Sequence, residues 1–229
     1  MNKHNWKEIS LNLQELYDKY ELSSSYDMDY NYLKYSYHKI EDMWKNIYSK
    51  IDKVNFIIVS EAPLFGNKET YIYNENTPLT SFFTFNDIKC FSNLNLNKNS
   101  SNLEKKMFII EQFIKNGVIV LDLFPFAFNQ YNTVVNYKKM SKPFYKDILL
   151  LTEKSYLIPK IEDIFIKNNG IPVILYRYKR LYEKTDNHLF KVLNRLGYQY
   201  DSDFIHSKNI PLDRDKLIKI IKNKDLSNA

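Results

Sequence analysis

The N-terminal part of the chain carries apolar residues at helical spacing. Over residues 6–20, and again over 33–51, these residues recur every three or four positions, so that each stretch has one apolar face. The triplet Ser23–Ser25 interrupts the pattern between the two stretches. We therefore predict two amphipathic helices with a break at the serines, and we assign residues 1–52 to a helical extension that packs on the remainder of the chain.

The remaining residues, 53–229, alternate short apolar runs with further helical patterns. Three of the runs are rich in β-branched residues and have the length of buried strands, and they span residues 56–59, 118–121 and 171–176. A fourth extended segment is predicted over residues 198–205. This alternation is typical of α/β proteins. We predict a single α/β domain with a mostly parallel central sheet of about four strands, flanked by helices on both faces.

Glycine and proline mark the ends of the predicted helices. A helical pattern over residues 103–114 stops at Gly117, a residue type that commonly ends helices. The apolar residues within 145–169 fit either one long helix or two short ones, with Pro159 at the break or in a first turn. The Asn- and Thr-rich residues 67–80 predict a long connection over the carboxyl edge of the sheet.

Composition limits the functions that this domain can have. The 229 residues include 33 Lys and Arg against 27 Asp and Glu, a formal charge of +6, which favours a polyanionic partner. An AT-rich genome that encodes Lys, Asn, Ile and Tyr freely explains the same excess. Cys90 is the only cysteine, so the chain alone forms no disulfide and no four-cysteine zinc or iron–sulfur site.

The sequence also lacks the features of a membrane or secreted protein. No apolar stretch approaches the roughly 18 residues that a membrane helix needs. The N-terminal residues lack the apolar region of a secretory leader. We therefore expect a soluble, cytoplasmic protein with no membrane partner. We also expect no cofactor and no metal, and a monomer is favoured, although the sequence does not fix the oligomeric state.

Polar residues follow the predicted strands at the points where these strands end. Ser60, Glu61 and Pro63 come after the first run, and Asp122 follows the second. Since ligands of open α/β sheets bind beyond the carboxyl ends of the strands, these residues are candidates for a site. They also fit an ordinary strand exit with solvated carboxylates, and the pattern alone leaves both interpretations open.

Two further groups have both a functional and a structural interpretation. Arg177, Lys179 and Arg180, which we name the basic group, follow the third predicted strand and fit either a phosphate contact or a solvated rim. Phe82 and Phe83 lie in a local cluster of aromatic residues, which fits either core packing or a platform that stacks on a base.

The order of these residues resembles that of the uracil-DNA glycosylase superfamily, from Val54 onward. Residues 61–63, Glu-Ala-Pro, match the middle of a first family motif, Gly-Glu-Ala-Pro-Gly. The phenylalanine pair lies where the family has a stacking Phe. Asp122 lies where the family has a base-reading Asn, and His206-Ser207 is similar to its late His-Pro-Ser motif. The resemblance implies a protein that flips a base out of DNA and hydrolyses its N-glycosidic bond without a metal.

The resemblance assigns catalytic roles to two residues. Glu61 would position or activate the water that attacks the sugar, and its charge would stabilise the cation-like sugar of the transition state. His206 would donate a hydrogen bond to the base carbonyl as the departing base gathers negative charge. Ser60, Ala62 and Pro63 would form the turn that holds the substrate beside Glu61.

The resemblance assigns other residues to contacts with the base and the DNA backbone. Phe82, or failing that Phe83, would stack on the flipped base and recover part of the free energy lost on unstacking. Ser207 would grip a phosphate. Independently of the resemblance, the positive charges of Lys208 and the basic group fit further phosphate contacts along the DNA.

Asp122 is the most informative departure from the family pattern. An Asn donates to a carbonyl and accepts from a ring N–H, which suits uracil, whereas an ionised Asp only accepts. We therefore predict that uracil is a poor substrate and that a base with an amino group beside a ring N–H is preferred. Ser60 replaces the family's Gly, and His206 is not followed by Pro. A catalytically inactive protein of the same fold, which binds nucleic acid or a protein partner, is the alternative.

Overall fold

The computed structural model describes residues 6–77, 100–137, 140–168, 170–176, 179–185 and 187–200. Its centre is a parallel sheet of three strands, so the α/β class is confirmed. The strands are β1 (Phe56–Ser60), β2 (Val118–Asp122) and β3 (Val173–Tyr176), in the spatial order β2-β1-β3. Of the predicted fourth strand, residues 198–200 are in no strand, and the rest lies outside the described residues.

The register of the sheet aligns the ends of its strands. Ser60 pairs with Asp122 across β1 and β2, and Val59 pairs with Tyr176 across β1 and β3. Every residue of the three strands is buried. Because successive strand side chains point to opposite faces, both faces of the sheet are covered.

The helices, in chain order, are α1 (Trp6–Lys19), α2 (Ser23–Lys50), α3 (Asn102–Asn116), α4 (Lys142–Thr152), α5 (Ile158–Lys167), α6 (Lys179–Lys184) and α7 (His188–Arg195). The N-terminal pair packs into the same hydrophobic core as the sheet. Within that core the Trp44 indole Nε1 of α2 donates to the Val120 carbonyl of β2 at 2.8 Å.

The predicted break at Ser23–Ser25 is wrong, because these serines form the first turn of α2. The chain turns between α1 and α2 at Glu21, whose φ of 56° lies in the left-handed region. Serine is favoured at helix starts because its hydroxyl bonds locally, and the Ser23 hydroxyl donates to Asp18 at 2.6 Å. The serines therefore begin a helix that the sequence pattern showed only from residue 33.

The segment before β2 shows why Gly117 ends α3. A capping box between Ser101 and Glu104 begins the helix, and Gly117 ends it with a φ of 66°. A Cβ atom at Gly117 would lie 2.1 Å from the Lys53 carbonyl oxygen, so the position excludes any side chain. The Gly117 carbonyl accepts from the backbone N–H groups of Asn55 and Phe56, which aligns the starts of β1 and β2.

The region 142–167 follows a continuous helical path. Helix α4 passes into a π-helical turn, Glu153–Leu157, and then into α5, whose first turn contains Pro159. A wider turn before a proline accommodates its missing N–H group. Residues 67–77 are irregular, as predicted for the long connection, and the remainder of 67–80 lies outside the described residues.

Candidate functional site

The carboxyl ends of the three strands lie at one edge of the sheet. The chain leaves β1 for β2 on one side, and after β2 it crosses to β3 on the other side. Connections that diverge in this way create a crevice beyond the strand ends, the usual ligand position in open α/β sheets. Glu61 is the first residue after the central strand β1, so it lies at the mouth of this crevice.

Ser60 and Asp122 end β1 and β2 side by side. The Leu123 N–H donates to the Ser60 carbonyl at 3.1 Å, and the Tyr71 hydroxyl donates to Asp122 Oδ2 at 3.3 Å. Asp122 is 1% exposed. Burial raises its pKa to about 6, although the charge of Lys160 and the hydroxyls of Ser60 and Tyr71 favour the ionised form. Asp122 therefore holds its proton to a higher pH than an ordinary aspartate does.

A buried ion pair lies close enough to Asp122 to influence it. Lys160 Nζ contacts Glu41 Oε1 at 2.6 Å, donates to the Tyr156 hydroxyl at 3.0 Å and lies 4.2 Å from the centre of the Trp44 ring. Lys160 lowers the pKa of Asp122 and Glu41 raises it. The pair thus belongs to the electrostatic environment of the strand end.

Glu61 has a different environment from Asp122. Its half-exposed carboxylate forms an ion pair with Lys184, the last residue of α6. The Lys184 ammonium also lies 3.8 Å from the centre of the Tyr145 ring, on α4. Burial raises the pKa of Tyr145, and the charge of Glu61 adds to that effect. Glu61 is therefore held by one cation and lies beside one buried phenol.

A cleft of about 470 Å³ extends outward from Tyr145 and Lys184. We name it the lysine cleft. It lies among α4, α6 and α7, and its charged and aromatic lining includes Lys142, Tyr145, Lys146, Lys184, His188 and Lys191.

His188 forms part of the wall of the lysine cleft. Its Nε2 atom lies 3.2 Å from Glu153 Oε2 in the π-helical turn, and the same carboxylate pairs with Arg195. Burial lowers the pKa of His188, although the Glu153 carboxylate acts in the opposite direction. Because a lowered pKa favours neutral imidazole at pH 7, the positive charge of the cleft comes from its lysines.

The structure brings together only some of the predicted site residues. Ser60, Glu61 and Asp122 share one edge, and Ala62 and Pro63 are buried immediately after Glu61. Lys179 and Arg180 form the first turn of α6, which starts after β3. The other predicted residues lie outside the described ones: Phe82, Phe83, Arg177, His206, Ser207 and Lys208.

Three charged residues near this edge were not predicted as site residues from the sequence, namely Lys184, Glu41 and Lys160. Lys184 belongs to the same basic stretch as Lys179 and Arg180, so a weak signal existed. Glu41 carried a clearer one, because it lies at helical spacing from Tyr37 and Trp44 on an apolar face. A carboxylate on such a face needs a buried partner. The sequence does not identify that partner as Lys160.

Comparison with known proteins adds no relative. The chain matches no protein-family model, and no curated protein or solved structure matches it significantly. Within the residues that the structure describes, no three His, Cys, Asp or Glu side chains are grouped as metal ligands. In the same part of the chain, no helix is both long and apolar enough to cross a membrane.

Proposed function

We propose that this chain is a DNA glycosylase-like protein, which flips a base out of DNA and hydrolyses its N-glycosidic bond without a metal. The observation that carries the proposal is the juxtaposition of Ser60, Glu61 and Asp122 at the carboxyl edge. Two carboxyl groups at the ends of adjacent strands have different surroundings: Glu61 is half-exposed and paired, and Asp122 is buried with a raised pKa. Carboxyl groups in such different surroundings can take different roles in one reaction.

Glu61 has the properties that the hydrolytic step requires. Departure of the base leaves a sugar with cationic character, which a nearby carboxylate stabilises. The contact with Lys184 restricts the Glu61 side chain, and its half-exposed position leaves room for an attacking water. We assign stabilisation of the departing base to His206, as the family resemblance implies.

Asp122 is the group that we assign to base recognition. In its ionised form, Asp122 accepts hydrogen bonds only. A base with an amino group beside a ring N–H supplies two donors to such an acceptor, whereas the O4 atom of uracil is repelled. Because Asp122 is closed off from solvent, its contact with a base requires that the residues covering it move.

Further DNA contacts come from residues that the family resemblance implies and from basic residues near the strand ends. Phe82 or Phe83 stacks on the flipped base, and Ser207 and Lys208 contact phosphates together with the basic group. Binding through phosphates releases counterions, so the affinity for DNA falls as salt is added.

A panel of end-labelled oligonucleotides, each with one modified base, tests the proposal. Hot alkali cuts the strand wherever a base has been removed. We expect wild type to cut at one class of base and Glu61→Gln to lose that activity by about 100-fold or more. Glu111→Gln is the matched control, because Glu111 is exposed on α3, away from the strand ends, and this variant should retain activity.

The opposite results would contradict the proposal. Equal cutting by wild type and Glu61→Gln would show that Glu61 has no role in the hydrolytic step. No cutting by wild type across the panel would contradict the proposed glycosylase activity itself.

A second candidate is a non-catalytic protein that binds DNA or a protein partner. The Glu61–Lys184 ion pair and the closed position of Asp122 favour it, because both carboxyl groups then have structural partners. This candidate predicts DNA binding by wild type and Glu61→Gln alike, with no base removed.

A further inference from the structure

The lysine cleft has a strong excess of positive charge. Four lysines line it, namely Lys142, Lys146, Lys184 and Lys191, and Glu183 is the one carboxylate among its lining residues in the described part of the chain. Three different helices supply these lysines, so their convergence is a property of the fold. A cleft with this charge attracts anions and raises their local concentration.

The spacing on α4 increases this excess. Lys142 and Lys146 are four residues apart and both exposed, so they lie on the same face of the helix. Like charges at this spacing repel each other. Lys146 also lies beside Asp147, and its charge lowers the pKa of that carboxyl, so Asp147 offsets part of the charge of Lys146. An anionic ligand in the cleft would relieve that repulsion.

The start of α4 adds to the positive potential. Ser141 caps this 11-residue helix, and its first turn contains no acidic residue. The N-terminus of a helix carries partial positive charge, which an acidic side chain in the first turn would offset. Here Lys142 stands at that position instead, at the rim of the cleft.

The inner end of the cleft meets the candidate site. Tyr145 and Lys184 line the cleft, and Lys184 pairs with Glu61. Lys184 therefore connects the cleft directly to Glu61. The volume of about 470 Å³ is in the range of sites that hold a whole organic ligand. The apolar side chains of Leu149 and Leu150 also line the cleft and offer contact to sugar rings.

We propose that the lysine cleft binds the sugar-phosphate backbone of the DNA strand whose base is presented to Glu61. Lys142 and Lys146 contact successive phosphates, and Lys184 remains with Glu61 at the inner end. This inference rests on the proposed function for the identity of the polymer.

The test measures DNA binding by fluorescence anisotropy across salt concentrations. The probe is a short fluorescein-labelled oligonucleotide, used single-stranded and as a duplex. The full chain is compared with Lys142→Gln/Lys146→Gln. Lys53→Gln/Lys115→Gln is the matched control, because both of its exposed lysines precede the strands, at the opposite edge of the sheet, and the total charge is the same.

Loss of two phosphate contacts lowers the salt slope by about 1.4 for single strands or about 1.8 for duplex. We call Lys142→Gln/Lys146→Gln the cleft variant. Between about 50 and 200 mM salt, its affinity for DNA should therefore fall about 7- to 12-fold less than that of wild type. The control variant should keep the wild-type slope. Equal slopes for the cleft variant and wild type would overturn the inference, and so would equal reductions in both variants.

The binding assay separates this inference from the proposed function. Wild type that binds DNA through the cleft but removes no base would contradict the glycosylase activity and leave the cleft assignment intact. If wild type removes a base but the cleft variant keeps the wild-type salt slope, the cleft assignment is contradicted and the glycosylase activity is supported. An absence of DNA binding by wild type would overturn both.

Discussion

Two Lys–Glu ion pairs at the carboxyl end of this sheet have the same chemistry and opposite surroundings. The side chains of Lys160 and Glu41 are 0% and 4% exposed. Those of Lys184 and Glu61 are 42% and 34% exposed. A buried pair is expensive to break because the remaining charge stays in the core, whereas an exposed pair is solvated when it opens.

The two ion pairs differ in what they contact. Lys160 and Glu41 lie in the core and bias the charge of Asp122. Lys184 holds Glu61 at the mouth of the crevice and lines the cleft beside it. Breaking the inner pair therefore leaves a charge in the core under the site. In the proposed function, the outer pair positions Glu61 for the hydrolytic step. Substitutions in the two pairs should have opposite effects on stability and activity.

The largest effect on stability is expected from Lys160→Met. This change leaves Glu41 without its partner at 2.6 Å in the core, and should lower the free energy of unfolding by about 3–5 kcal/mol. Urea denaturation measures the loss. The double variant Glu41→Leu/Lys160→Met removes both charges and should recover most of it. A loss below about 1 kcal/mol in the single variant would show that the pair is not buried as described.

The next effect is a pH dependence that comes from Asp122. Its folded pKa of about 6 exceeds the ordinary 3.8, so the folded state binds the proton more tightly than the unfolded state. Stability is therefore lost as pH rises from about 4 to 7, by about 3 kcal/mol from this group. Asp122→Asn should remove that contribution, so that its free energy of unfolding falls less over the same range.

Denaturation of wild type and Asp122→Asn at pH 4 to 8 measures the difference. Asp42→Asn is the control, because Asp42 is exposed on α2. The same pH dependence in wild type and Asp122→Asn would contradict the buried, titrating carboxyl.

The smallest effect on stability is expected from Lys184→Met. The pair with Glu61 is half-exposed, so the free energy of unfolding should change by less than about 1 kcal/mol. Base removal should nevertheless fall, by up to about 100-fold, because Glu61 loses the contact that positions it. Lys184→Arg preserves the charge and should retain most of the activity. If Lys184→Met retained wild-type activity, the result would contradict the role of Lys184 in positioning Glu61.

Much of the sheet could be predicted from the sequence, because buried parallel strands are continuous apolar runs. The run 56–59 and the polar residues after it locate β1 and Glu61, and the run 118–121 locates β2 and Asp122. These features are local, so the sequence pattern contains them. The Ser23–Ser25 break was wrong because serine fits a helix start as well as a turn.

The pairing of distant residues could not be predicted in this way. Glu61 and Lys184 are 123 positions apart, and Glu41 and Lys160 are 119 positions apart. Which helix brings a cation to a carboxylate depends on tertiary packing, and spacing along one chain does not encode it. The lysine cleft has the same origin, because α4, α6 and α7 form it together.

The most direct test of the account is base selection by wild type and Asp122→Asn. The assay compares oligonucleotides that carry one uracil with oligonucleotides that carry one base with an amino group beside a ring N–H. We predict that wild type prefers the second kind, and that Asp122→Asn gains activity on uracil by about 10- to 100-fold, because the amide donates to the carbonyl that a carboxylate repels. An unchanged rate on uracil in a folded Asp122→Asn protein would contradict the assignment of Asp122 to base recognition.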